Sequence, residues 1–416
     1  MTADWAAARP RMQAEFDVVI VGGGMVGAAM ACALRDTELR IALVDAAPPP
    51  AASPPTYDDR TVALADGSRR IFESLGVWSA LAPQAAAIQQ IHISDRGRFG
   101  CTRLNAADAG LPALGYVVAN RAVAAASYGA INGVQTITVY APATAERIDI
   151  AADGARVTLS TATGGQALRA RLVIAADGAE SPIRTMLGLA AQRVDYGQVA
   201  IVTAVTPSQP GAGTAFERFT PDGPLALLPA NERYVVVWSL PRPRAEALLA
   251  LDDRAFLATL QEQFGDRLGT FTRVGRRQLH PLALTHVAEH VRERVALIGN
   301  AAHTVHPVAG QGFNLGLRDV ATLAQVIVDA TRAGQDIGTL DVLQRYADWR
   351  ARDNRTIAGF THSLIRIFSN DYLPVTLARN LGLIAVDLLP PLKRRFIRMT
   401  SGLAGQLPRL ARGQPL

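Results

Sequence analysis

Cysteine is nearly absent from this chain. Cys32 and Cys101 are the two in 416 residues, too few and too scattered for a disulfide framework or a thiolate metal site. Lysine is scarcer still: Lys393 stands alone among 42 basic residues. So strong an arginine bias, beside abundant alanine, reads as an effect of genome composition, and no nucleic-acid partner is expected from it. Long hydrophobic runs are missing too. The most apolar stretch, Leu381 to Leu392, is broken by Asp387 and two prolines and is too short to span a bilayer. The N-terminal MTADWAAARPRMQAEF lacks the apolar core of a signal peptide, so retention in the cytoplasm is expected. Neither a G-x-S-x-G elbow nor a Walker motif occurs, which argues against a hydrolase or a kinase.

What is present is a chain long enough for two domains, since single cores stop growing near about 250–300 residues. Its charge is unevenly placed. Between Ser363 and Leu416 stand Arg366, Arg379, Lys393, Arg394, Arg395, Arg398, Arg409 and Arg412 against Asp371 and Asp387, a surplus equal to the whole chain's formal +6. A basic tail interleaved with Leu, Ile and Phe suits an anionic membrane surface, where each cation contributes roughly 1 kcal/mol. It suits an ordinary solvated pair of terminal helices equally well.

The pattern opens as βαβ: an apolar strand Phe16 to Val21, a small-residue helix Met25 to Leu34 and a second strand Ile41 to Val44. After a proline loop, Arg60 to Leu75 returns to helical spacing and closes at Gly76. Ile88 to Arg103 and Val199 to Leu240 alternate, with turns at Arg96-Gly97, Pro221-Asp222-Gly223 and Asn231-Glu232, and read as antiparallel strands of a second domain. The first domain resumes between them, and from Thr322 onward the pattern is helical.

Three stretches carry chemistry. Gly22, Gly24 and Gly27 form G-x-G-x-x-G directly after the first strand, with Asp45 at the end of the next strand. Glycines there permit a tight turn and close approach of a pyrophosphate, and the acid can bind ribose hydroxyls. In LVIAADGAESPIR (172 to 184), Asp177-Gly178 at a strand end can reach the ribityl or pyrophosphate side, with Ser181 and Arg184 exposed; Asp-Gly is also a common turn. In GNAAHTVHPVAGQGFNLGLRD (299 to 319), Asn300 can bond a ribityl hydroxyl, and backbone amides from Gly312 through Phe313 to Asn314 can face an anionic ring. His303 and His306 are spaced H-x-x-H without a third ligand, so no metal is expected. They read as loop-orienting residues, with a general-base role as the alternative. Arg60 is either a cofactor contact or a surface arginine. Phe216, Arg218, Phe219, Leu227 and Pro229, with Trp238, are candidates for an apolar, aromatic-selective pocket, core packing being the alternative for Leu227 and Trp238. No second G-x-G-x-x-G occurs, so any nicotinamide donor binds transiently.

Together these stretches resemble the single-component FAD-dependent aromatic hydroxylases related to para-hydroxybenzoate hydroxylase. HISDRG (92 to 97), AFERFTPDGPLALLP (215 to 229), PLALTH (281 to 286) and HPVAGQGFNLGLRDV (306 to 320) are similar, more narrowly, to the ubiquinone-biosynthesis hydroxylases of the 2-octaprenyl-6-methoxyphenol type. Asn300 departs from the wider family's Gly-Asp but matches that subgroup. The resemblance spans nearly the whole chain. It implies an α/β fold with a discontinuous Rossmann-like FAD-binding domain (14–75, 105–190, 285–340). It also implies an inserted, mainly antiparallel β-sheet substrate domain (76–104, 191–284) and a helical C-terminal region (341–416). It implies FAD as cofactor, NAD(P)H as transient reductant and O2 as co-substrate, with a C4a-hydroperoxide attacking a phenol ring. Arg121 falls near a flavin-contacting position, and Pro307, Gly310, Gln311 and Gly312 shape the oxygen site. The implied substrate is a polyprenylated phenol, which makes a membrane surface at the inner face of a bacterial plasma membrane and other ubiquinone-biosynthesis proteins the expected partners. A sister enzyme acting at another ring position or on another phenol, or a flavoprotein scaffold, are the alternatives.

Overall fold

The strand Phe16–Val21 sits at the centre of an eight-stranded sheet and is buried on both faces, which is why it reads as one continuous apolar run. Val18 and Ile20 face a helical layer that includes Met25–Leu34 and Gln311–Arg332, whereas Val19 and Val21 face a second core. Phe16–Val21 pairs in parallel with Ile41–Val44 and Gly164–Ala175, and the parallel set extends to Ile137–Tyr140 and Val295–Leu297. An antiparallel meander, Ala143–Ala151, Gly154–Thr161 and Gly164–Ala175, builds the second core. This is a doubly wound dinucleotide-type domain assembled from separate chain segments. The computed structural model describes residues 16–50, 56–305, 310–368 and 372–416.

The second domain is a nine-stranded sheet organised around the long strand Ala191–Pro207, which pairs antiparallel with Arg233–Pro241 and Gln278–Val287. The ladder continues through Gly223–Ala230 and Thr214–Thr220. Gln90–Asp95 then joins Thr214–Thr220 in parallel, because it arrives from a distant chain segment rather than through a hairpin. One face is covered by the helices Arg242–Leu249 and Asp253–Phe264, whose Phe256, Leu260 and Phe264 pack with Leu225, Leu227 and Trp238. The opposite face looks toward the first domain. His303–Thr304 also pairs with this sheet, so a short piece of the expected FAD-binding segment lies in the substrate sheet.

One expected helix is shorter than its spacing suggested. Within Arg60 to Leu75, Thr61–Ala65 is a strand paired with Gly115–Ala119, and the helix starts at Asp66. The β-branched Thr61 and Val62 fit that strand, and Asp66 anchors the first helical turn by accepting from Arg69 and Arg70 at 2.8 Å each.

The C-terminal region is helical, comprising Leu340–Phe368, Leu373–Leu388 and Pro390–Thr400, the last two meeting at a 98° bend. It covers the open edge strand Cys101–Asn105. The Gly100 and Arg103 amides donate to Asn380 Oδ1 and Asp387 Oδ1, and Thr102 Oγ1 donates to the Leu383 carbonyl. Arg379 pairs with buried Asp95 at 2.7 Å. The chain then returns to the first domain, where the Gly67 amide donates to the Ser401 carbonyl and Ser74 Oγ to that of Leu410. Among the described residues no single helix is long and apolar enough to cross a membrane.

Candidate active site

The glycine turn is built for close approach. Gly22 has φ +101°, and a Cβ there would lie 2.4 Å from the Ala176 carbonyl oxygen, so any side chain is excluded twice. At Gly23 a Cβ would meet the Tyr128 hydroxyl at 2.1 Å, whereas at Gly24 it would meet open space. Asp45 accepts hydrogen bonds from the Gly23 and Ala47 amides and so fixes the turn. Burial, helped by the Asp45 charge, pushes the Tyr128 hydroxyl up to about 12, keeping it neutral. No side chain caps the helix Met25–Leu34, and its first turn holds no acid. Its N-terminal amides are therefore available to an anion.

Asp177 lies beside this turn. Its Oδ2 accepts from the Ile183 amide at 3.0 Å, while Oδ1 is buried without a partner, and burial raises its pKa. Gly178, at φ +92°, opens onto the same space. Ser181 and Arg184 are not exposed as their sequence context suggested. Ser181 is fully buried and caps the helix Pro182–Met186 by accepting from the Arg184 amide. Arg184 donates to the carbonyls of Ala179 and Ala301, tying the Asp-Gly loop to the Gly-Asn turn.

The Gly-Asn stretch is anchored from below by Asp319. This fully buried carboxylate accepts from the Gly299 amide at 3.0 Å, His303 Nε2 at 2.7 Å and Arg350 Nε at 2.7 Å. Burial alone would raise its pKa, but His303 and Arg350 outweigh that and hold it well below the usual carboxylate range. Asn300 projects above the anchor into open space. Gly310, at φ +61°, starts the helix Gln311–Arg332 without a side-chain cap. Asn314 spends its side chain on structure. Its Oδ1 accepts from the Ala65 amide and Ser68 Oγ, and its Nδ2 donates to the carbonyls of Ala63 and Gly310. Phe313 stacks on Phe72 with centroids 6.2 Å apart. Pro307 and His306 lie outside the described residues.

These three stretches converge on one cavity of about 590 Å³, large enough for a drug-sized ligand. Gly24, Gly178, Asn300, Gly310, Gln311, Gly312, Phe313 and Asn314 all border it. The substrate sheet contributes Phe216 and Phe219 from the expected set, while Arg218, Leu227 and Pro229 are absent from the wall. Leu227 and Trp238 belong to the core on the other side of the sheet, and Ala226 and Leu228 face the cavity instead. The C-terminal helices close it with Leu383, Val386 and Phe396, and Phe368 stacks on Phe219. Arg121 pairs with Asp59 at 2.8 Å, and Arg60 is exposed near His280; neither borders the cavity. The side chain the sequence reading missed is Glu217. Phe216 and Phe219 on the same strand carry an aromatic signal, but which face Glu217 takes depends on how the sheet packs.

The FAD binding domain family model matches residues 15–355. The ubiquinone hydroxylase UbiL of Rhodospirillum rubrum is 41% identical over 96% of this chain and 93% of its own length. The 3-demethoxyubiquinol 3-hydroxylase of Escherichia coli is 32% identical over 93% and 98%. The crystal structure of p-nitrophenol 4-monooxygenase PnpA from Pseudomonas putida superposes with a TM-score of 0.79 at 20% identity, over 95% of this chain and all of that one, a likeness of fold.

Proposed function

Because the chain belongs to the FAD binding domain family and is an FAD-dependent monooxygenase, we propose that it hydroxylates a polyprenylated phenol in ubiquinone biosynthesis, with NAD(P)H and dioxygen as co-substrates. The observation that carries this reading is the cavity itself. It runs from the glycine turn and the 310–314 loop to an apolar sheet wall, and so joins a dinucleotide cradle to an apolar space suited to a substituted phenol.

The residues present fit FAD. Gly24, Gly178 and Gly312 leave open space where a Cβ would project, and Asp177 Oδ1 is an orphaned acceptor beside them. Gly22, Gly24 and the amides opening Met25–Leu34 would hold the pyrophosphate, Asp45 the ribose, and Asp177 and Asn300 the ribityl chain. When bound, FAD supplies two-electron chemistry, accepting hydride from the nicotinamide and activating dioxygen. The uncapped helix start at Gly310 and Gln311 turns its positive end toward the cavity, where it stabilises negative charge. Ile91, Ile93, Leu104, Leu228 and Val386 exclude water, which favours oxygen transfer over wasteful decomposition.

A polyprenyl substrate resides in a bilayer, and the helix Leu373–Leu388 suits docking there. Leu373, Leu377, Leu381 and Leu388 are half or more exposed on its outer surface, with Leu389 and exposed Arg394, Arg395 and Arg398 alongside. The inner surface of the same helix lines the cavity through Leu383 and Val386, so the ridge would bring the cavity's lid to the lipid.

The finer reading is hydroxylation of a 2-polyprenyl-6-methoxyphenol; the alternative is attack at another ring position. Purified FAD-loaded protein given NAD(P)H, labelled dioxygen and a short-chain 2-prenyl-6-methoxyphenol should yield one labelled ring oxygen, para to the existing hydroxyl. Label at another carbon would assign the sister reaction. Peroxide without ring oxygen would exclude this substrate.

A further inference from the structure

Glu217 lies on the strand Thr214–Thr220 with Ile93 and Ala226 as its cross-strand neighbours. Among the described residues lining the cavity it is the one ionisable side chain. No hydrogen bond or ion pair joins it to a described residue, although the chain is rich in arginine. It is half-buried and lines the cavity on the same strand as Ala215 and Phe219. An unpartnered carboxyl there opposes its own ionisation, and burial pushes it up to about 7. Three other polar wall groups are committed elsewhere, Asn314 to Ala63, Ala65, Ser68 and Gly310, Gln311 to the Thr400 carbonyl, and Thr102 to that of Leu383, whereas Asn300 stays open to the cavity.

We propose that Glu217 is the catalytic base that accepts the hydrogen bond, and then the proton, of the substrate's phenolic hydroxyl. This rests on the phenol hydroxylase reading above. As the O–H bond breaks, its electron pair moves into the ring and raises the nucleophilicity of the ortho and para carbons. The attacked carbon forms its bond to one oxygen atom of dioxygen, while the other leaves as water, the two further electrons coming from NAD(P)H. The ring regains aromaticity by releasing the proton of that carbon. A base with a pKa near the working pH is matched to this task and typically contributes about 10²–10⁴-fold. Among the described residues of the cavity wall there is no cation. The charges nearest on its own strand and the adjoining one, Arg218 and Asp95, are absent from the cavity wall.

Full-length FAD-loaded wild type, Glu217→Gln and Glu217→Asp test this with the short-chain 2-prenyl-6-methoxyphenol. Infrared pH titration of the proteins should show a protonated-carboxyl band lost near pH 7 in wild type and absent in Glu217→Gln, whatever the activity. Hydroxylation by Glu217→Gln should fall by about 10²-fold or more in kcat with a smaller change in KM, and its rate should lose the rise through pH 7. NAD(P)H oxidation should continue, showing intact FAD binding, and Glu217→Asp should recover part of the rate with its pH dependence. A Glu217→Gln enzyme with wild-type rate and pH profile would overturn the assignment while leaving the phenol hydroxylase reading intact. A wild type that oxidises no phenol would overturn that reading and this one with it.

Discussion

Asp319 and Glu217 are two carboxylates withdrawn from bulk water near the same cavity, and their surroundings are opposite. Asp319 accepts from Gly299, His303 and Arg350, and these partners hold its pKa down despite complete burial. Glu217 has no described partner, and burial pushes it up to about 7. The satisfied carboxylate has no acceptor capacity aimed at the cavity and serves as an anchor beneath the Gly-Asn turn. The unsatisfied one sits in the wall facing the space a ligand would fill. What a buried acid does here follows from who meets it, since burial alone would raise both pKa values.

The comparison breaks most severely at Asp319. Asp319→Asn removes the charge that pairs with Arg350 and His303, leaving the buried Arg350 guanidinium with Asp353 alone as its described carboxylate partner. This should cost about 3–5 kcal/mol and lower FAD retention, measured by thermal unfolding and by flavin content after gel filtration. Asn314→Ala, at a second fully satisfied polar group, should cost about 2–3 kcal/mol in the same assays because four hydrogen-bonding groups lose their partner.

At Glu217 the sign reverses. Its pKa rises from 4.5 in the unfolded chain to about 7 in the fold, so below pH 4.5 both states are protonated and nothing is lost. As pH rises through that window the unfolded chain gives up its proton first, and stability falls until the penalty is complete above pH 7. Glu217→Gln should therefore be more stable than wild type by about 1–3 kcal/mol at pH 8 and equal to it near pH 4.5. Equal stability at both would remove the contrast. The smallest effect is expected on the outer surface. Arg394→Ser and Arg395→Ser should each weaken binding to anionic vesicles by about 1 kcal/mol, an effect that shrinks as salt is added.

The glycine turn and its flanking strands were legible because hydrophobic period and glycine spacing are local signals. Gly22, Gly24, Gly27 and Asp45 stand together in the structure where their spacing suggested. Thr61 to Ala65 was not, because a five-residue strand is decided by its pairing with Gly115–Ala119 rather than by its own period. Arg184 looked exposed for want of the distant carbonyl of Ala301 that it reaches. Leu227 and Glu217 show the same limit in the sheet. Alternation tells which residues share a face, but the packing of Asp253–Phe264 on one side decides which face is core and which is cavity.

The most direct test of the account is the fate of labelled dioxygen in the reaction with NAD(P)H and the short-chain 2-prenyl-6-methoxyphenol. The account predicts one labelled oxygen in the ring of the product. NAD(P)H consumed with all label in peroxide and water, and the phenol recovered unchanged, would contradict it.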